Sequence, residues 1–249
     1  MRYRVYFGSL FGYFTIHIMR MAIPFNQKQI AEYFDLSYNM VGLANSFIYI
    51  ILGITYMYKV IYPVVHVKTE YFYPVSIACL FYLMIPIYCL LGIKSTILLF
   101  ISMGAFGMFQ ATSWPIVLKL VDKYFDPKKD GFVLGIWSTN GDLGNVFGFG
   151  ICTLFVYTFN WPWELCLVFA ALSSFCLAFL ILKLPINEKE DKASKIGSHE
   201  RGDLKVIVIL FRHMKKPSVF YLVFILCLLK ALLYGVLLWI PLYLDNSGF

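Results

Sequence analysis

The chain has 249 residues, of which 60% are hydrophobic and 14% charged, with 24 Phe and 18 Tyr. Soluble domains are about 45–50% apolar and about 25% charged, so this composition excludes a water-soluble enzyme or a nucleic-acid binder. The formal net charge of +7 therefore reads as basic loops beside a membrane, not as an affinity for DNA.

A spanning helix needs about 20 mostly apolar residues at about 1.5 Å each. On that basis seven segments are predicted, near Val5–Phe25, Met40–Tyr62, Tyr71–Gly92, Ser95–Leu118, Gly131–Thr158, Pro162–Leu184 and Ser218–Leu244. The first follows Arg2 and Arg4 like a signal peptide, but it carries His17 and Arg20 and has no small-residue cleavage site, so it is read as a retained helix. Tight turns at Ile93–Lys94 and Phe159–Trp161 make their flanking segments antiparallel neighbours, so the fold is a helical bundle. In the fifth segment Gly144 and Gly148 form a GxxxG pair, which allows close helix approach. Trp161 and Trp163 read as interfacial anchors. The six cysteines lie singly in apolar runs, with neither zinc nor disulfide spacing, and no cofactor is implied.

Seventeen of the 21 Lys and Arg residues fall before the first segment or in the second, fourth and sixth connections, and only Lys28 and Lys94 fall on the opposite side. The positive-inside rule then places the N-terminus in the cytoplasm. Residues 185–217 carry Glu188-Lys189-Glu190-Asp191-Lys192 and read as a charged cytoplasmic linker. The chain thus divides into a six-helix bundle (1–184), this linker, and a seventh helix (218–249) that begins a second bundle, the layout of a transporter built from two six-helix halves. A chain of this length is expected to be a fragment or a truncated gene model.

Three charges fall where charge is expensive. Arg20 lies about 22 Å, Lys230 about 18 Å and Asp142 about 16 Å along a roughly 30 Å core. Each costs about 2.5–3.5 kcal/mol on insertion scales, so each needs a partner or a water-filled cavity. One reading is a structural ion pair of Asp142 with Arg20 or Lys230. The other is a net positive cavity for a small anion, where Arg20 forks onto a carboxylate or phosphate and Lys230 adds a point charge. His17, three residues before Arg20 on the same face, is placed to bond the anion or exchange a proton. No nucleophile–base or metal-ligand constellation is visible, so the chain is not read as an enzyme.

The block Gly107–Val121 (GMFQATSWPIVLKLV), then Tyr124-Phe125, then Gly131–Gly148 (GFVLGIWSTNGDLGNVFG), resembles the sugar-phosphate exchanger family, solute carrier family 37. That family lies in the organophosphate:phosphate antiporter branch of the major facilitator superfamily. Phe11-Gly12-Tyr13 with His17-x-x-Arg20, and Lys230, Tyr234 and Trp239-Ile240-Pro241-Leu242-Tyr243, are similar to the family's first and seventh helices. The resemblance implies an all-α membrane protein comprising the superfamily's N-terminal six-helix half and the first helix of the second. It also implies exchange of a sugar phosphate for inorganic phosphate in the endoplasmic reticulum or another endomembrane. Arg20 and Lys230 match its phosphate-binding cations, and Trp137, Asn140 and Tyr234 join His17 and Asp142 as candidate substrate-binding positions. A partner chain supplying the second half is implied if the chain is complete.

Four departures stand out. Met21 replaces a lysine, Asp130 replaces an arginine, no acid is seen near Lys59, and Asp142 is an unusual acid in the fifth helix. Loss of the loop charges implies altered gating of the cytoplasmic side. Asp142 and Met21 keep open a carrier of a zwitterionic or proton-coupled solute, and the missing half keeps open a non-transporting membrane scaffold.

Overall fold

The computed structural model describes residues 2–61, 66–126, 128–184, 212 and 216–247, and every regular element among them is helical. The predicted linker lies almost wholly outside the described residues. In chain order the helices are α1 (Arg2–Phe25), α2 (Gln27–Phe34), α3 (Tyr38–Ile61), α4 (Val67–Leu91), α5 (Thr96–Gln110), α6 (Ser113–Tyr124), α7 (Gly131–Ser138), α8 (Asn140–Thr153), α9 (Glu164–Leu182) and α10 (Pro217–Asn246). A π-helical turn, Leu154–Thr158, extends α8.

The seven predicted segments correspond to α1, α3, α4, α5–α6, α7–α8, α9 and α10, with three differences. First, α2 occupies what was read as a loop. It buries Gln27, Ile30, Ala31 and Phe34 at helical spacing, and its end is turned by Asp35 in the left-handed conformation at φ 54°. Second, the fourth segment is interrupted at Ala111–Thr112 and the fifth at Thr139. At both breaks side chains take backbone carbonyls from the helical ladder: Thr112 Oγ1 donates to Phe109 O at 3.0 Å, Thr139 Oγ1 to Ile136 O at 2.7 Å and Asn140 Nδ2 to Trp137 O at 2.6 Å. Third, among the described residues five spans rather than seven are long and apolar enough by themselves to cross a membrane: those of α3, α4, α5–α6, α9 and α10. The other two, α1 and the broken α7–α8, are the helices that carry His17, Arg20, Asn140 and Asp142. Their polarity is the price of the site.

Packing follows the small residues. α1 lies against α8 and α9, α4 against α9 and α5, and α3 against α5. A Cβ on Gly144 would stand 2.5 Å from Phe14 O and 2.6 Å from His17 Cβ, so the backbones of α1 and α8 meet there without an intervening side chain. Between these seams run a buried aromatic and aliphatic core, including Tyr71, Tyr82 and Phe106, and cross-helix bonds such as Tyr82 Oη to Met19 O at 2.8 Å. The tight turn between α4 and α5 is made by Gly92 at φ 68°, and that before α9 by Asn160 at φ 53°.

Two expectations about the loop charges are corrected by the fold. Lys59 does have an acid beside it: Glu70, eleven residues later on α4, lies 3.3 Å from its Nζ. Asp130 is not a lost charge either. Its carboxylate pairs with Arg2 and accepts the Asp126 N–H at 3.0 Å, tying the start of α1 to the start of α7. The Asp126 amide first, and then Arg2, hold the Asp130 carboxyl below the usual carboxylate range. A depressed value means that this tie is complete at neutral pH and is lost as pH falls through the folded-state value, which lies below the ordinary carboxylate range. Exchange of the Asp126 and Lys128–Gly131 amides, taken relative to the intrinsic rate at each pH, is expected to accelerate on acidification in the wild type. In Asp130→Asn it is expected to be fast already at neutral pH and insensitive to acid. An acid-insensitive wild type contradicts the tie.

Candidate substrate cavity

A cavity of about 480 Å³ opens between α1, α3, α7–α8 and α10, within the range of small-molecule sites. Arg20, His17, Asn140, Asp142, Lys230 and Tyr234 all line it, so six of the seven candidate positions, drawn from three separated stretches of chain, converge. Trp137 is the exception. Its Nε1 donates to Ser9 Oγ at 3.0 Å, and its ring stacks at 5.7 Å on Trp114, which itself forms the cavity wall. Trp137 therefore supports the wall from behind.

Arg20 is only 6% exposed. Its Nε donates to Gln110 Oε1 at 2.7 Å, and its guanidinium carbon lies 5.8 Å from the Tyr13 ring centroid. Its Nη2 is buried and has no hydrogen-bond partner among the described residues. A buried charged donor left unpaired is costly. His17, equally buried, donates from Nδ1 to Asn145 Oδ1 at 2.8 Å, which orients the ring and leaves Nε2 as an acceptor facing Gly141. Lys230 places Nζ 5.8 Å from the Tyr234 ring centroid, and Tyr234 packs at 5.2 Å on Tyr49 of α3, which carries α10 against the bundle. Among the described residues no ion pair joins Asp142 to Arg20 or to Lys230. The structural ion pair raised from the sequence is therefore not formed.

Sequence reasoning missed the tyrosines. Tyr13, Tyr49 and Tyr56 line the cavity together with Trp114. Tyr13 was detectable, being four residues before His17 and seven before Arg20 on one helical face. Nothing in the run around Tyr49 and Tyr56 distinguishes them from lipid-facing aromatics. Gln110 and Asn145, which hold Arg20 and His17, both lie inside the block that carried the family resemblance.

The Major Facilitator Superfamily profile matches residues 9–249. The chain belongs to that superfamily. It is 29% identical over 161 residues to a protein of Arabidopsis thaliana described as glycerol-3-phosphate transporter 2, covering 57% of this chain and 32% of that protein. It is 28% identical over 180 residues to the glucose-6-phosphate exchanger SLC37A2 of Xenopus tropicalis, covering 57% of this chain and 35% of that protein. The chain thus spans about a third of the length of the curated relatives it matches. No solved structure matches it. This major-facilitator chain is an integral, multi-pass membrane protein, related to sugar-phosphate exchangers and glycerol-3-phosphate transporters, and its family members are transporters.

Proposed function

We propose that this chain provides the substrate cavity of a carrier that exchanges a sugar phosphate or related organophosphate for inorganic phosphate by alternating access. The observation that carries the reading is the unpaired Nη2 of buried Arg20 in a cavity that also presents Lys230. A phosphate monoester brings a charge of about −1.5 to −2 and three acceptor oxygens, which two cations, one of them forked, can neutralise. The printed functions of the relatives, glycerol 3-phosphate transport and glucose 6-phosphate exchange, are of this chemical class.

In this reading residues 1–184 form the first half of the carrier, 185–217 its cytoplasmic linker, and 218–249 the start of the second half. α10 is apolar and open on the side away from α1, which gives further helices, from this or another chain, a surface on which to pack. The charge asymmetry supports a cytoplasmic N-terminus, and the family resemblance an endomembrane location.

Liposomes carrying the protein and loaded with labelled inorganic phosphate test the proposal. Glucose 6-phosphate added outside is expected to release the label, and glucose is not. Release driven by glucose, or no release by any phosphoester, overturns it.

A further inference from the structure

The cavity contains more charge chemistry than a plain phosphoester uses. Asp142, in the first turn of α8, is exposed to the same cavity as Arg20 and Lys230 and has no hydrogen-bond or ion-pair partner among the described residues. Three groups carry formal charge here. With His17 counted neutral, Arg20 and Lys230 against Asp142 leave the cavity at one net positive charge. A sugar phosphate near two negative charges exceeds that net charge and sets its anion beside the Asp142 carboxylate in one cavity, which is repulsive.

An unpaired carboxylate in a site otherwise built for an anion is accounted for by a cation on the ligand. Resting on the organophosphate reading above, we propose that the substrate is a phosphomonoester that also carries a protonated amine. Its phosphoryl oxygens bind Arg20 and Lys230, and its ammonium binds Asp142. The ligand charge, about −2 on the phosphate and +1 on the amine, then matches the cavity. Tyr13, Tyr56 and Trp114 line the same cavity and supply aromatic surface beside the charged groups. Asp142 is thus a specificity-determining residue. It selects against the analogue lacking the amine, which leaves the carboxylate without a cationic partner.

Glucose 6-phosphate and glucosamine 6-phosphate differ only at C2, where an ammonium replaces a hydroxyl, which makes them the diagnostic pair. Their dissociation constants can be read on the 249-residue protein in detergent by quenching of tryptophan fluorescence, because Trp114 is in the cavity wall. The wild type is expected to bind the amino ester about tenfold more tightly, the range for one hydrogen bond to a charged group. In Asp142→Asn that ratio is expected to fall to about one, with the plain ester gaining affinity and the amino ester losing it. Equal binding of the two esters by the wild type overturns the inference even if the variant does not fold. In that case binding that is still lost in Arg20→Gln leaves the organophosphate reading standing. Binding of neither ester nor of inorganic phosphate overturns both. An amine preference that persists in Asp142→Asn also overturns the inference, because some other group then reads the amine.

Discussion

Arg20→Gln is expected to weaken phosphoester binding by at least about 100-fold, the lower part of the range for truncating one partner of a buried, hydrogen-bonded charge pair, about 2–5 kcal/mol. The loss has a geometric cause. Nε is committed to Gln110, Nη2 is buried without a protein partner, and the residue lines the cavity. The same substitution is expected to make the empty protein more heat-stable, since the buried cation costs about 2.5–3.5 kcal/mol at mid-membrane depth. Arg20→Lys keeps the charge but not the fork, so it cannot hold Gln110 and the anion together, and its affinity should fall between the two. Phosphate titrations by tryptophan quenching, with thermal unfolding in detergent, read both effects. Unchanged affinity in Arg20→Gln removes the anion from this residue. Loss of affinity and of stability together makes Arg20 a structural member of a fixed network with Gln110 and Tyr13.

The second large effect belongs to the α1–α8 seam. Gly144→Val should destabilise the protein by roughly 3 kcal/mol, the upper part of the usual overpacking range. A Cβ there meets the Phe14 carbonyl oxygen at 2.5 Å and His17 Cβ at 2.6 Å, and neither atom can turn aside as a side-chain tip can. At roughly 2–4 °C per kcal/mol for a chain of this size, the midpoint of thermal unfolding should fall by about 6–12 °C. Gly150→Ala is the matched control on the same helix. Nothing lies within 4 Å of its added Cβ, so the change should be neutral or slightly stabilising. Equal midpoints for the Gly144 and Gly150 variants contradict close approach of these helices. The seam also bears on the cavity, because pushing α8 off α1 moves Asn145 away from the His17 ring that it orients. Substrate affinity should therefore fall with stability at Gly144 and not at Gly150.

Hydropathy and charge made the class, the helices that correspond to the seven predicted segments, and the unusual placing of Arg20, Lys230 and Asp142 inside them legible without coordinates. Transfer of a side chain into lipid is a nearly local quantity, so it can be read residue by residue along the chain. The helix breaks were legible in principle, since Ala111-Thr112-Ser113 and Ser138-Thr139-Asn140 carry the hydroxyl and amide side chains that compete for backbone carbonyls. They were obscured because apolarity continues across both. α2 was obscured for the opposite reason, its face of Ile30, Ala31 and Phe34 being too short to register against its polar residues.

The ion pairs show a different limit. Glu70 is eleven residues from Lys59 and Asp130 is 128 from Arg2, so a search of sequence neighbours finds neither partner. The same holds inside the cavity. That three costly charges exist was a property of the sequence. That Arg20, Lys230 and Asp142 share one space without an ion pair between them, and that Tyr13, Tyr49, Tyr56 and Tyr234 line it, depends on how each helix is rotated and which helices are its neighbours. Those rotations are set by contacts such as Gly144 against Phe14 and Tyr49 against Tyr234. Such contacts join residues far apart in the chain, and only the packed bundle brings them together.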